Sequence, residues 1–441
     1  MKKELKEKIL SNKKIIKLQN NLTYIIVKWD ALPIIHIDTM IKAGSFHEPL
    51  DKAGLAEATI YLCTQGTSSR KATEIAKELD YTGAKISTIS KEDASYLRLT
   101  FLKKYINKAI DIWSDILLNP VFPPEEFNRW QIKTAATIAQ EKAEPSLIAN
   151  KKFKKFLFNN CPYGNYPTES SIFNISQDDV KNFYNRYYKP NNSVISIIGD
   201  IEYKEAENII SKLLEKWNAA SLPVNQIPKL STPKNFKFQL INKADLNQAQ
   251  IRYGYPSVAR NTPYFFPLIL MNYVLGGGGF SSRLMTEIRS KQGLTYGIAS
   301  SFYFLKNAGL FYIQTFTKNE NLLRMINEIK NQLFLLKNSY IEESELNTAK
   351  SYFSGSFVEK FERPEKISEQ ILDVELYELG EDYLDLYKAN INRVTIDEIQ
   401  ECIQKFIHTD YAKITILGNV SNFQNDIKSF DEFEIQNFNE D

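Results

Sequence analysis

An α+β fold built from two like halves is what this sequence predicts, and three observations predict it. Strand-like and helix-like segments come in clusters rather than in a strict strand–helix alternation. A proline-bearing, aperiodic stretch at 219–236 (AASLPVNQIPKLSTPKNF) divides the chain near its middle. The segments on either side of it match at a constant offset of 219 residues. Residues 175–201 (ISQDDVKNFYNRYYKPNNSVISIIGDI) align without a gap with residues 394–420 (VTIDEIQECIQKFIHTDYAKITILGNV).

In that alignment Ser176 meets Thr395, and each is followed three residues later by an acid, Asp179 or Glu398. This is the capping-box pattern, in which a short hydroxyl side chain and an acid satisfy each other's orphan backbone N–H groups at a helix start. A run of β-branched residues follows each helix and ends at Gly199-Asp200 or Gly418-Asn419. The reading is an internal duplication of about 220 residues, longer than a solenoid repeat. It gives an N-terminal domain at 1–218, a linker at 219–236 and a C-terminal domain at 237–441.

Taken in chain order, LTYIIVKW and PIIHIDTMIKAG carry the alternating β-branched pattern of strands. KATEIAKELDY reads as a short helix, and GAKISTIS with ASYLRLTFL reads as a hairpin pair. INKAIDIWSDILLN and PEEFNRWQIKTAATIAQEKA have helical spacing. YKEAENIISKLLEKW sets Ala206, Ile209, Ile210, Leu213, Leu214 and Trp217 on one helix face. QAQIRYGYPS, IASSFYFL and AGLFYIQTF restart the plan in the second half. Each half then forms an α/β sandwich, a mostly antiparallel sheet with helices on one face.

The totals exclude several classes. Fifty-five bases against 53 acids leave a net charge of +2, too even for a nucleic-acid binder that works through a basic field. Cys63, Cys161 and Cys402 are odd in number and far apart, so they read as buried thiols rather than a disulfide framework or a metal pair. The N-terminal MKKELKEKILSNKKIIK is basic but precedes no apolar run, and no stretch reaches the roughly 18 apolar residues of a membrane span. The expectation is a cytoplasmic chain, or a periplasmic one if a leader has been removed. His36 on a strand, His47 after a turn and His408 near a helix end read as structural or solvated residues. The acidic end DEFEIQNFNED (431–441) reads as a solvated or disordered end.

Four segments together carry a family resemblance: AGSFHEP (43–49), GLAEATIYLCTQGT (54–67), the stretch from Pro162 to Asp200, and GGGGFSSRLMTEIRSKQGLTYGIAS (276–300). Over residues 14–420 the chain resembles the pitrilysin/insulinase-type zinc metallopeptidases, and most of all the two-chain processing peptidases. In catalytic members of that family the segment matching 54–67 holds His-x-x-Glu-His, an inverted zinc motif. Two histidines at i and i+4 share one helix face and can bind one Zn²⁺, and the Glu is placed to take a proton from water. Registered on Gly54 and Gly66, the first His position is Glu57, the Glu position is Ile60 and the second His position is Tyr61. The third ligand position, registered on Pro145, is Thr137; Glu141 lies one turn further on. The motif is replaced while its helix is kept, so the resemblance implies no metal on this chain. The Asn-Ala dipeptide of the substrate strand is likewise replaced, by Ile86-Ser87.

The second half keeps more of the pattern. Arg289 and Tyr296 stand seven residues apart, the spacing of the pair that the zinc-free chain of two-chain members supplies to its partner's site. The resemblance implies that Arg289 and Tyr296 hold substrate backbone and donate to the oxyanion that forms as the amide is attacked. Preorganised donors at such a site contribute about 3–4 kcal/mol each. Gly276, Gly277, Gly278 and Gly279 match a substrate-contacting glycine-rich loop. They lack the Lys-Ser/Thr ending of a phosphate loop, and plain turn geometry is the rival reading.

The expected function is therefore that of a non-catalytic subunit of a heterodimeric zinc metalloendopeptidase. Its expected partners are a homologous chain carrying His-x-x-Glu-His and Zn²⁺, and an unfolded peptide substrate added to a sheet edge. The alternatives are an inert scaffold of the same fold, like the core subunits of a respiratory complex, and a peptide-holding protein that does not cut. A hydrolase rebuilt around Glu57 and Glu141 is the remaining reading.

Overall fold

Twelve strands among the described residues sort into two six-stranded sheets of matching order. The computed structural model describes residues 13–214, 217–223, 227, 230, 233–423 and 432–438. Most of the basic N-terminal stretch, part of the linker at 219–236, part of the acidic tail and the side chain of Leu214 lie outside the described residues.

The first sheet holds β1 (Lys13–Lys17), β2 (Thr23–Lys28), β3 (Ile34–Ile41), β4 (Lys85–Ser90), β5 (Ser95–Leu102) and β6 (Ser193–Gly199), in the order β1-β2-β6-β3-β5-β4. Only the β2–β6 pair is parallel. The second holds β7 (Phe236–Asn242), β8 (Gln248–Ser257), β9 (Ile298–Phe304), β10 (Gly309–Lys318), β11 (Ala412–Gly418) and β12 (Glu432–Asn437), in the order β12-β7-β11-β8-β10-β9. Here β7 pairs in parallel with both β11 and β12. Strands β6 and β11 sit at the same place in their sheets and start at 193 and 412, which keeps the offset of 219. The two predicted capping boxes are both present, Ser176 with Asp179 and Thr395 with Glu398.

Alternation along the strands divides the residues between two faces. In the first sheet Ile35, Ile37, Leu97, Leu99, Ile195 and Ile197 face one core with Ile60, Trp113, Ile210 and Trp217. Helices cover that face, as the sequence pattern predicts. The opposite parity, His36, Asp38, Arg98, Thr100 and Ser196, meets a further helix, Pro364–Tyr377. Asp38 is fully buried and bonds Arg98 at 3.1 Å, and Arg98 reaches Glu369 at 3.1 Å. Ser368 adds its hydroxyl to Asp38 at 3.4 Å and meets Ser196 at 2.5 Å. In the second sheet the corresponding face receives the helix Pro145–Phe158. There Arg252, 2% exposed, donates to Asn150 Oδ1 at 2.5 Å, to Ser146 Oγ at 2.8 Å and to main-chain carbonyls.

Each sheet thus takes a second-face helix from the opposite half of the sequence. By contacts the chain forms two compact units, 1–139 with 165–226 and 356–385, and 140–164 with 227–355 and 386–441. The duplicated halves at 1–218 and 237–441 differ from these units by the exchanged segments. The three cysteines are buried thiols. Residues 432–437 of the acidic tail form an ordered edge strand with exposed side chains.

Candidate functional site

The helix Leu55–Cys63 begins at Gly54, whose φ of +105° is a left-handed conformation that side chains avoid. A Cβ there would also meet Ile172 Cδ1 at 2.7 Å. The orphan N–H groups of the helix start are held by Glu48, which accepts from Gly54 N at 3.1 Å and Ala56 N at 2.7 Å. Burial pushes the Glu48 carboxyl up to about 7, against the pull of those two donors. This brace was missed by sequence reasoning; its signal was an acid inside AGSFHEP, six residues ahead of the helix.

The four motif positions are now placed. Glu57 is exposed, Ile60 is 1% exposed inside the core, and Tyr61 is half-buried against that core. Burial raises the Tyr61 phenol, with Glu126 adding to the rise. Thr137 lies exposed on the helix Pro124–Glu141, its hydroxyl turned back to Lys133 O at 3.0 Å. One carboxylate, one buried alkyl chain, one phenol and one self-bonded hydroxyl do not make a zinc donor set. Glu141 is engaged in an ion pair with Lys151. No group of three His, Cys, Asp or Glu among the described residues could hold a metal.

The second unit presents a different surface. The helix Phe265–Asn272 runs on into a π-helical turn, Tyr273–Gly277, and a second π-helical segment, Met285–Lys291, follows the glycine run. Such wide turns recur at functional sites. Gly276 is buried, and a Cβ on it would sit 2.6 Å from Ser300 N and Oγ, so close approach to β9 requires glycine here. Gly279 turns at φ +60° in open space. Gly277 is exposed and Gly278 half-buried, its N–H bonded to Tyr273 O at 2.9 Å.

Arg289 lies on the second π-helical segment, its guanidinium 4.5 Å from the centre of the Phe280 ring. Phe280 is 71% exposed, so the stack stands at the surface. Tyr296 is 79% exposed, on a connection that is firmly tied down. Thr315 and Thr295 both donate to Gly297 O, at 2.9 and 3.0 Å, and Thr317 donates to Leu294 O at 2.7 Å. These bonds fix the main chain on either side of Tyr296, whose side chain stands outward. Beside it a cavity of 670 Å³ is lined by Gly276, Gly277, Gly279, β9 from Ile298 to Ser301, and Arg252; Arg289 and Tyr296 are not among its lining residues. Phe280 and Arg252 are the residues here that the sequence did not single out.

Both sheets end in an edge strand, β4 and β9. Strand β4 alternates exposed and half-buried residues and includes Ile86 and Ser87. Its outer edge is open to strand addition among the described residues.

Comparison with known proteins decides the family. The model described as "Insulinase (Peptidase family M16)" matches residues 33–168, and the one described as "Peptidase M16 inactive domain" matches residues 174–353. The chain belongs to peptidase family M16. Among its M16 relatives is an uncharacterized zinc protease, YmxG, of Bacillus subtilis (strain 168), 24% identical over 89% of this chain and 95% of the relative. Another, of Helicobacter pylori, is named a non-peptidase homolog, 25% identical over 87% of this chain and 86% of the relative. The M16 fold is shared with the crystal structure of a peptidase M16 inactive domain from Pseudomonas fluorescens. That match has a TM-score of 0.85 and 23% identity, and covers 92% of this chain and 98% of that one. A protease from Helicobacter pylori matches with a TM-score of 0.80 and 19% identity, covering 92% and 99%. No helix among the described residues is long and apolar enough to cross a membrane.

Proposed function

We propose that this chain is the zinc-free subunit of a two-chain M16 metalloendopeptidase. The observation that carries the reading is a contrast within the chain. The position that would hold the general base is Ile60, sealed in the core, while Tyr296 stands outward on a clamped loop and Arg289, half-buried on the π-helical segment before it, stacks on the exposed Phe280 ring. A homologous partner with His-x-x-Glu-His would supply Zn²⁺, which polarises the scissile amide, and the base. This chain would supply Arg289 and Tyr296 as donors to the peptide and to the oxyanion, with the Gly276–Gly279 turn contacting substrate. The peptide would be unfolded and extended, paired to an open sheet edge. Three buried, unpaired thiols suit a reducing compartment and so the cytoplasm.

The test is a fluorogenic-peptide assay on this chain alone, and mixed with an M16 chain bearing the intact motif, with zinc measured on both. The expected result is no cleavage by this chain alone, cleavage by the mixture, and a loss of about 10²–10³ in kcat with Arg289→Ala or Tyr296→Phe. Stoichiometric zinc and cleavage by this chain alone would sink the reading. A mixture that binds but cuts no faster, with or without Arg289, would leave the scaffold or peptide-holding role. The non-peptidase name of the Helicobacter pylori relative favours that second reading.

A further inference from the structure

We propose that the cavity beside β9 is a carboxylate-binding site, where the buried charge of Arg252 meets the C-terminal carboxylate or an acidic side chain of a peptide. The inference does not rest on the peptidase reading, and binding alone tests it. The strand register places the site on one sheet face. Arg252 of β8 stands opposite Gln314 of β10, and Gln314 stands opposite Ala299 of β9. Two residues along, on the same face, Tyr312 stands opposite Ser301; two residues the other way, Phe316 stands opposite Gln250. The helix Pro145–Phe158 covers this face at Arg252, through Ser146 and Asn150, while Gln314 next to it is exposed. The space left is the cavity of 670 Å³, within the range of about 300–1,000 Å³ usual for ligand sites.

The electrostatics of this cavity are one-sided. Among the described residues that line it, Arg252 alone carries a formal charge. Its N–H groups go to Asn150 Oδ1, Ile251 O, Thr315 O, Ser146 O and Ser146 Oγ, all of them neutral. Those bonds satisfy the donors and leave the charge with no ion-pair partner among the described residues. Taking an unpaired cation out of water is costly, and burial lowers Arg252 to about 10. An anion in the cavity recovers part of that cost, because attraction between charges is several-fold stronger there than in water.

The wall supplies the hydrogen bonds that Arg252 has already spent. Gln250, Gln314, Tyr312 and Ser301 line the cavity, and their side chains make no hydrogen bond among the described residues. An amide NH₂ and a phenol or serine hydroxyl can each donate to a carboxylate oxygen. The way in is also defined. Asn272 closes the outer edge of β9, donating to Ser300 O at 3.1 Å and accepting from Ser300 Oγ at 2.8 Å. A peptide therefore enters by its end or by a side chain, not as an added strand. Met285, Ile298 and Phe316 on the wall suit an apolar residue beside the carboxylate. One cation balances a carboxylate, and it would leave a phosphate dianion half-compensated.

The test is titration calorimetry on the full chain with three short peptides. Acetyl-Gly-Ser-Ala-Leu has a terminal carboxylate as its one charge, its C-terminal amide has none, and acetyl-Gly-Ser-Glu-Leu-amide carries a side-chain carboxylate instead. At least one of the two acids is expected to bind about tenfold or more tightly than the neutral amide, and the acid that does so identifies the source of the carboxylate. Gln314→Glu, at an exposed position, sets a tethered carboxylate opposite Arg252. It should weaken the acid at least about tenfold and leave the neutral amide unchanged. Arg252→Met should remove the preference for the acid. Equal or absent binding of acids and amide would overturn the proposal, as would an acid affinity that Gln314→Glu does not change. So would inorganic phosphate competing as well as the peptide acid does, which would make the cavity a simple anion well. Circular dichroism confirms that each variant is folded, and Gln314→Glu keeps the test decisive if Arg252→Met is not.

Discussion

The two sheets share their strand order but solve the problem of their second face differently. In the first unit, Asp38 and Arg98 form an ion pair beneath the helix Pro364–Tyr377, joined by Glu369 and two serines. In the second unit, Arg252 takes the comparable place beneath the helix Pro145–Phe158. All its hydrogen bonds go to neutral acceptors, and no ion pair to it exists among the described residues. Duplication preserved the scaffold and let the buried charge diverge.

That contrast can be broken by substitution. At pH 8, where Asp38 is ionised, Arg98→Ala strands its carboxylate in the interior and should cost about 3 kcal/mol. Arg252→Met removes a charge that has no ion-pair partner among the described residues, takes a donor from five acceptor atoms, and should cost about half as much, roughly 1.5 kcal/mol. Urea unfolding, with hydrogen exchange read separately on β3 and β8, measures both. Equal losses would mean that the acid makes no difference.

The pH dependence sharpens the same contrast, because the carboxyl groups and the imidazole moved furthest within the range of pH 4 to 7 lie in the first unit. Burial lifts Asp38 and Glu48 to about 7, and burial lowers His36 to about 4. Between pH 5 and 6.5 the folded state holds the two carboxyl protons that the unfolded chain has released, so their ionisation erodes stability as pH rises. Over the same window the unfolded chain binds a proton at His36 that the folded state rejects, so stability rises with pH. Two against one leaves a net fall of at most about 1.4 kcal/mol per pH unit, continuing to about pH 7. Glu48→Gln should cancel the fall below pH 6.5. A first unit whose stability climbs from pH 5 to 7 would contradict these assignments.

The smallest effects test the likeness rather than the difference. Ser176→Ala and Thr395→Ala each remove one capping hydroxyl, and each should cost about 1 kcal/mol by thermal melt. Markedly unequal costs would show that equivalent caps no longer do equivalent jobs.

Much of this was legible in the chain. The capping boxes at Ser176 and Thr395 are local, so a hydroxyl and an acid three residues apart announced them. Strands β6 and β11 announced themselves by β-branched runs, and the constant offset placed them in equivalent sheets. The exchanged helices were not legible. Pro145–Phe158 has an apolar stripe but nothing in it names the sheet that will cover it, since that choice rests on contacts such as Arg252 with Asn150, 102 positions away. The strand in the tail was missed because its acids suggested a solvated or disordered end, although E-F-E-I-Q-N alternates with the period of a strand. At the candidate site, Arg289 and Tyr296 were visible through family resemblance alone. The Phe280 stack beneath Arg289 and the threonine clamps beside Tyr296 depend on tertiary approach.

The exchanged helices also govern how the chain is born. A ribosome delivers the first sheet long before residues 364–377 emerge, so the face bearing His36, Asp38 and Arg98 must wait, half-finished, through the synthesis of most of the second unit. The helix Pro145–Phe158 waits too, its own sheet not yet made. Domains that usually mature one after another in the order of translation cannot do so here. Neither unit has all its segments until late in synthesis, and nascent chains stalled near the middle would be natural clients for chaperones.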